Sequence, residues 1–231
     1  MKKILVLVAL MILIMVTTSC QKHEEITLSK YFQAMKAKDR DTMATMAVEP
    51  MALEFKSWAL VSSEAPVTED LILQQLLSSM ADIKAKKDKQ IGLVKDKKDA
   101  LDLLKTKLGE TRGGRQKAEL QKQIDVSEQE VAAETQNYKQ AQVDYTQMKN
   151  QVEVEKKMVT MSTSIEQNQE LMTGKAVTVK AIVKITSASG DKDYVFLLRK
   201  YELINPINNK VSPNRFIILK IQPKEDFEQG K

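Results

Sequence analysis

Side chains able to do chemistry are few in this 231-residue chain: one cysteine, Cys20, one histidine, His23, and a charged turn, Glu110-Thr111-Arg112, joined at Arg115 by a second guanidinium. A lone thiol can be acylated or oxidised, but it cannot close an internal disulfide, and one cysteine with one histidine cannot build a structural zinc site. His23 lies in a polar stretch three residues beyond Cys20. General acid–base work needs a side chain held within reach of the reacting group, and a tether residue does not meet that demand. No glycine-rich phosphate loop, paired metal motif or nucleophile elbow is present. The twelve methionines, three of them before Val16, read as adaptable packing and not as copper ligands. These residues point to no catalysis, no metal and no cofactor.

What surrounds Cys20 gives it a different use. Met1-Lys2-Lys3 precedes an unbroken apolar run of thirteen residues, Ile4 to Val16, and then Thr17-Thr18-Ser19-Cys20. A basic start, a short apolar core and small residues are the marks of a secretory signal, and thirteen residues fall short of the roughly twenty needed to span a bilayer. The cysteine after Ser19 resembles the lipobox of bacterial lipoproteins, although Thr17 stands where that pattern has leucine. The resemblance implies cleavage after Ser19, a lipid on Cys20, and a tether over residues 20–25. Gln21, in place of an aspartate, implies sorting to the outer membrane, facing the periplasm. Loss of Lys2 and Lys3 lowers the formal charge by two from +5. The small residual charge and the export signal both argue against nucleic acid as a partner.

The elements that must position anything else are dominated by one stretch, residues 67–158. Spaced alternately four and three apart, Leu76, Met80, Ile83, Lys87, Gln90, Val94, Lys97, Leu101, Leu104 and Leu108 form one seam, apolar at seven of ten positions. Leu120, Ile124, Ser127, Val131, Glu134, Tyr138, Ala141, Tyr145, Met148, Val152, Glu155 and Val159 form a second. Between them Gly109, Gly113 and Gly114 suggest a turn at left-handed glycines, which favours a hairpin within one chain over an exchange between two. Placing Leu108 opposite Arg115 sets Leu101 opposite Lys122 and Met80 opposite Val143. About 43 residues per helix at about 1.5 Å each gives an arm of roughly 65 Å. Gly92 is a weak point inside the first helix. Val159-Thr-Met-Ser-Thr-Ser164, rich in β-branched and small residues, reads as the end of the second.

The flanks read as the two parts of an α+β domain, residues 26–66 and 159–223. Leu28, Tyr31, Phe32 and Met35 share one helical face, and Asp39 can cap a second short helix that carries Met43, Met46 and Ala47 and stops at Pro50. Leu53, Phe55, Ser57, Ala59 and Val61 alternate as the buried face of a strand, with Trp58 on the other side. Val177, Val179, Ala181, Val183 and Ile185 face inward on a long strand that turns at Ser189-Gly190 toward Tyr194–Tyr201. Residues 215–222 form the last strand and 224–231 a frayed tail. This order of short helices, tryptophan-bearing strand and long antiparallel strands resembles a nuclear transport factor two-like domain over about 100 residues. That family's fold implies helices in the concave side of a curved sheet around a cone-shaped pocket. Tyr31, Trp58, Tyr194 and Phe196 are the residues that could line such a pocket, and packing in the core is the favoured alternative.

Three functions follow as expectations. The first is a non-enzymatic, lipid-anchored envelope protein whose coiled-coil arm is a spacer or docks a partner, with Glu110, Thr111, Arg112 and Arg115 at the tip. The second is a small-ligand or lipid carrier using the pocket. The third is an adaptor of an efflux or secretion system, weakened by the absence of any glycine between Cys20 and Val67. Lys84, Lys86, Lys87, Lys89, Lys95, Lys97 and Lys98 make the first arm helix basic. A solvated flank paired with acids of the second helix is favoured over an anion-binding face.

Overall fold

The computed structural model describes residues 23–230, so the expected signal segment and Cys20 lie outside the described residues. The chain is α+β and divides into two units, one comprising residues up to Leu71 and from Met158 onward, the other Ile72–Lys157.

The first unit opens with α1 (His23–Lys36) and α2 (Arg40–Ala44). Helix α1 starts three residues earlier than the tether reading allows, because Glu24 and Glu25 occupy its first turn, where acidic side chains complement the helix dipole. Asp39 caps α2 as expected, its side chain accepting from Thr42 N at 3.0 Å. Hydrogen bonds to Thr42 hold the Asp39 carboxyl below its ordinary value. Met46 and Ala47 leave the helix: Ile218 N donates to Met46 O and Val48 N donates to Ile218 O, so this segment covers part of a sheet edge.

Five antiparallel strands follow: β1 (Ser57–Ser63), β2 (Val67–Asp70), β3 (Thr173–Ser187), β4 (Gly190–Ile204) and β5 (Ile217–Pro223), in the order β1-β3-β4-β5 with β2 also on β3. Strand β1 pairs with the far half of β3 and β2 with its near half. Two expectations are corrected here. Val67–Asp70 is an edge strand, and all four of its residues are exposed, so no hydrophobic pattern announces it. The face of β1 is also inverted. Phe55 and Leu53 point inward, the chain bends at Lys56, and Trp58 and Leu60 then take the inner face while Ser57, Ala59 and Val61 are exposed.

The core lies between α1 and the sheet. Leu28, Tyr31, Phe32 and Met35 meet Val179, Ala181, Val183 and Ile185 of β3 and Phe196 and Leu198 of β4. The helical and strand periods read from the sequence therefore select the same buried set. Residues 158–163 remain helical instead of forming a strand or loop, because tertiary contacts override the local preference of β-branched residues. Ser162 explains why. Its Oγ accepts from Tyr201 N at 3.0 Å and donates to Arg215 O at 2.8 Å, and its own carbonyl accepts from Arg215 N at 2.9 Å. It thus satisfies the β4 edge beyond the start of β5. The C-terminal segment is not frayed: Lys224–Glu228 forms α5, and Lys180 Nζ lies 5.0 Å from the Phe227 ring centre.

The second unit is a helical hairpin of α3 (Leu73–Glu110, 38 residues) and α4 (Gly114–Thr163, 50 residues), the last turn of α4 belonging to the first unit. Helix α3 is roughly 57 Å long at about 1.5 Å per residue. All ten seam positions of α3, and the eleven of α4 up to Glu155, are buried or half-buried. Val159, the twelfth, is buried in the first unit. No helix among the described residues is long and apolar enough to cross a membrane.

Candidate functional site

The tip of the hairpin is built differently from the expectation. Helix α3 runs through Gly109, and none of Gly109, Gly113 and Gly114 adopts a positive φ. Thr111 ends the helix instead, in an extended conformation. Its N–H and its hydroxyl both donate to Lys107 O, at 3.1 and 2.7 Å. A carbonyl at the helix end that would otherwise lack a partner is satisfied by threonine, so left-handed glycine is not required. Thr111 and Glu110, with Lys107, Gln116, Glu119, Leu120 and Gln123, line an open groove of about 460 Å³. Arg112 and Arg115 stand outside it, exposed.

Register along the arm is set by polar groups. Gln90 Nε2 donates to Glu134 Oε2, Lys97 pairs with Glu130 at 2.6 Å, Lys105 pairs with Glu128 at 2.8 Å, and Lys87 Nζ lies 4.5 Å from the Tyr145 ring centre. Hydrogen bonds to Glu130 and Glu128 raise the Lys97 and Lys105 ammonium groups above their ordinary value. Each partner lies further along α4 than the expected register. Lys97, placed about level with Val126 by that reading, meets Glu130 instead. The reason is at the tip: residues 112–119 are all exposed, so α4 completes more than a turn before Leu120 enters the seam opposite α3. Of the seven lysines that make α3 basic, Lys97 meets an acid of α4, while Lys87 lies over the Tyr145 ring with Asp88 of its own helix at 3.7 Å.

The four aromatic residues considered for a pocket belong to the core cluster or pack against it. Tyr31 and Phe196 are fully buried, with ring centres 6.5 Å apart edge to face; Phe32 stacks on Trp58 at 4.7 Å, and Tyr194 is half-buried. The Tyr31 hydroxyl accepts from Met51 N at 2.9 Å and donates to Met51 O at 3.1 Å, so its polar end ties down the segment leading into β1. Burial raises its pKa above the ordinary 10.0, against a smaller opposing effect of the Met51 backbone. These side chains fill the space between helix and sheet.

A cavity does exist on the other flank of α1. A groove of about 590 Å³ is lined by His23, Ile26, Lys30, Ala37 and Asp39 from the α1–α2 segment and by Lys200 and residues 214–216 from the strands. Thr27 Oγ1 donates to Phe216 O at 3.3 Å and fixes α1 against the start of β5. Arg215 is held by carbonyls: Nε donates to Met161 O at 2.9 Å and Nη2 to Thr45 O at 3.2 Å. Lys200 shares its charge with Glu202 at 2.6 Å, and Asp39 is occupied by Thr42. Sequence reasoning missed this groove because its walls bring α1 positions outside the face of Leu28, Tyr31, Phe32 and Met35 together with residues some 180 positions later, which no periodicity connects. Among the described residues, no group of three histidine, cysteine, aspartate or glutamate side chains is placed to hold a metal ion.

Comparison of the chain with protein-family models, with curated proteins and with solved structures gives no match.

Proposed function

We propose that this chain is a lipid-anchored protein of the bacterial cell envelope, attached through Cys20, that uses its helical hairpin to engage another envelope component without catalysing a reaction. The hairpin carries the reading. An arm whose seam holds Lys87, Gln90 and Lys97 against tyrosine and glutamate partners gives up stability for a fixed register, and that exchange has value when the surface it presents must be reproducible. The exposed Arg112 and Arg115 offer planar guanidinium groups suited to carboxylate or phosphate on a partner.

A photo-crosslinking amino acid at Arg112, with Ser189 at the β3–β4 turn as the comparison position, tests this in intact cells. A discrete protein adduct from position 112 alone is the expected result. Identical adducts from both positions, or none from 112, would remove the hairpin tip from the proposal.

A further inference from the structure

Where β4 ends and β5 has yet to begin, the first unit presents a polar loop that carries two exposed aliphatic side chains, beside the groove lined by Lys30 and Arg215. Residues 205–214 fold on themselves. Asn209 N donates to Asn205 O, Asn205 N to Lys210 O, Ile207 N to Asn205 Oδ1 and Ser212 N to Leu203 O. The loop thus holds its shape through its backbone, yet Ile207 is 83% exposed and Val211 65%. Ile204, bridged to Val211 and paired with Thr173, and Leu171 two residues before Thr173, extend the apolar strip at 39% and 51% exposure. Aliphatic side chains held facing solvent on an internally bonded loop are suited to insertion into an apolar phase.

The same end carries exposed cations. Lys210 is exposed within the loop, and Asn214, Arg215 and Lys200 join it to the groove that Lys30 and His23 also line. Arg215 donates to two backbone carbonyls, which leave its charge in place. Carboxylates stand among these cations: Glu202 pairs with Lys200, Asp39 accepts from Thr42 and Glu24 from Ser63 at 3.0 Å, both keeping their negative charge, and Glu170 is exposed. His23 follows Cys20 by three residues, a span of at most about 11 Å of extended chain.

We propose that this end of the first unit is a membrane-facing surface, in which Ile207 and Val211 enter the interfacial layer of an anionic bilayer while Lys30, Lys210 and Arg215 meet lipid phosphates. The proposal rests on the lipid-anchor reading of Cys20 and deepens it: the anchor holds the chain at the membrane, and the loop decides which side of the domain faces the lipid. Aliphatic tips ringed by lysine and arginine are the chemistry of peripheral binding to anionic lipid.

The test uses the full chain, isolated from membranes and reconstituted into vesicles of phosphatidylethanolamine and phosphatidylglycerol. An environment-sensitive NBD fluorophore is placed at Ile207→Cys or, at the opposite end of the β3–β4 hairpin, at Ser189→Cys. For Ile207 the emission is expected to shift to shorter wavelength and to be quenched roughly twofold by lipids carrying doxyl groups on their chains, with Ser189 unchanged. Water-like emission at both positions overturns the proposal. So does a label at 207 that is shielded from aqueous iodide yet insensitive to doxyl lipid, which would mark a protein interface. The mass of the isolated chain reports separately on Cys20. An unlipidated product overturns the anchor, while the loop is still read by adding the labelled Cys20→Ser chain to the same vesicles.

Discussion

Replacing Tyr31 by phenylalanine separates a core residue from a ligand-binding one. The substitution keeps the ring, its edge contact with Phe196 and nearly all its volume, and removes only the hydroxyl that serves Met51 N and Met51 O. Two hydrogen bonds at about 1 kcal/mol each are lost, and the two backbone groups of Met51 must find water or stay without a partner at about 1–3 kcal/mol apiece when fully buried. Met51 is half-buried, so water recovers part of this cost. The expected loss is about 2–3 kcal/mol. Trp58, the only tryptophan, stacks on Phe32 beside the site, and its fluorescence in a urea titration reports on the first unit. pH supplies a second reading. Because burial raises the Tyr31 pKa in the folded chain, the unfolded chain ionises first; stability from this group is complete below about pH 10 and falls as pH rises toward the folded value. The variant should lack this component of the alkaline decline. A loss below about 0.5 kcal/mol, with equal alkaline slopes, would refute the core assignment and return Tyr31 to a ligand pocket.

Two glycines should respond in opposite directions. At Gly92, inside α3, a methyl group would meet nothing within 4 Å, so Gly92→Ala should stabilise the hairpin by about 1 kcal/mol, read as a higher midpoint of helical circular dichroism on heating; a lower midpoint would show that the position has a neighbour. At Gly174, with φ at +147°, a methyl group would lie 2.1 Å from Glu202 O, and neither backbone can rotate away. Gly174→Ala should cost at least about 3 kcal/mol in the Trp58-detected transition, and a change under about 1 kcal/mol would contradict the close approach of β3 to β4.

Periodic burial is what the sequence could disclose. The twenty-two seam positions of the hairpin, the α1 face at Leu28, Tyr31, Phe32 and Met35, and the β3 face from Val177 to Ile185 were readable because each repeats with a fixed spacing over several turns or residues. Strand β2 escaped notice because Val67, Thr68, Glu69 and Asp70 bury nothing and owe their conformation to pairing with β3. The inversion of β1 hangs on one bend at Lys56, and a slip of one residue exchanges the faces. Helix α4 outlasted its propensities because Ser162 bonds to Tyr201 and Arg215, contacts that exist only once distant segments have met. The groove beside α1 is a product of the same long-range meeting. The arginines at the tip were legible as residues but not as geometry, since the cap turned out to be Thr111.

The pairing of Thr68 with Val177 joins segments about a hundred residues apart, with the whole of the hairpin between them. Closing so long a loop from a disordered chain is slow, because the entropy of closure must be met before any strand contact rewards it. A helical hairpin needs only local contacts and, once formed, returns the chain to its point of departure. The arm is then a folding device for the sheet: it should form first and reduce a distant encounter to a short one. Substitutions that weaken its seam between Leu76 and Glu155 would slow the appearance of the Trp58 signal in refolding.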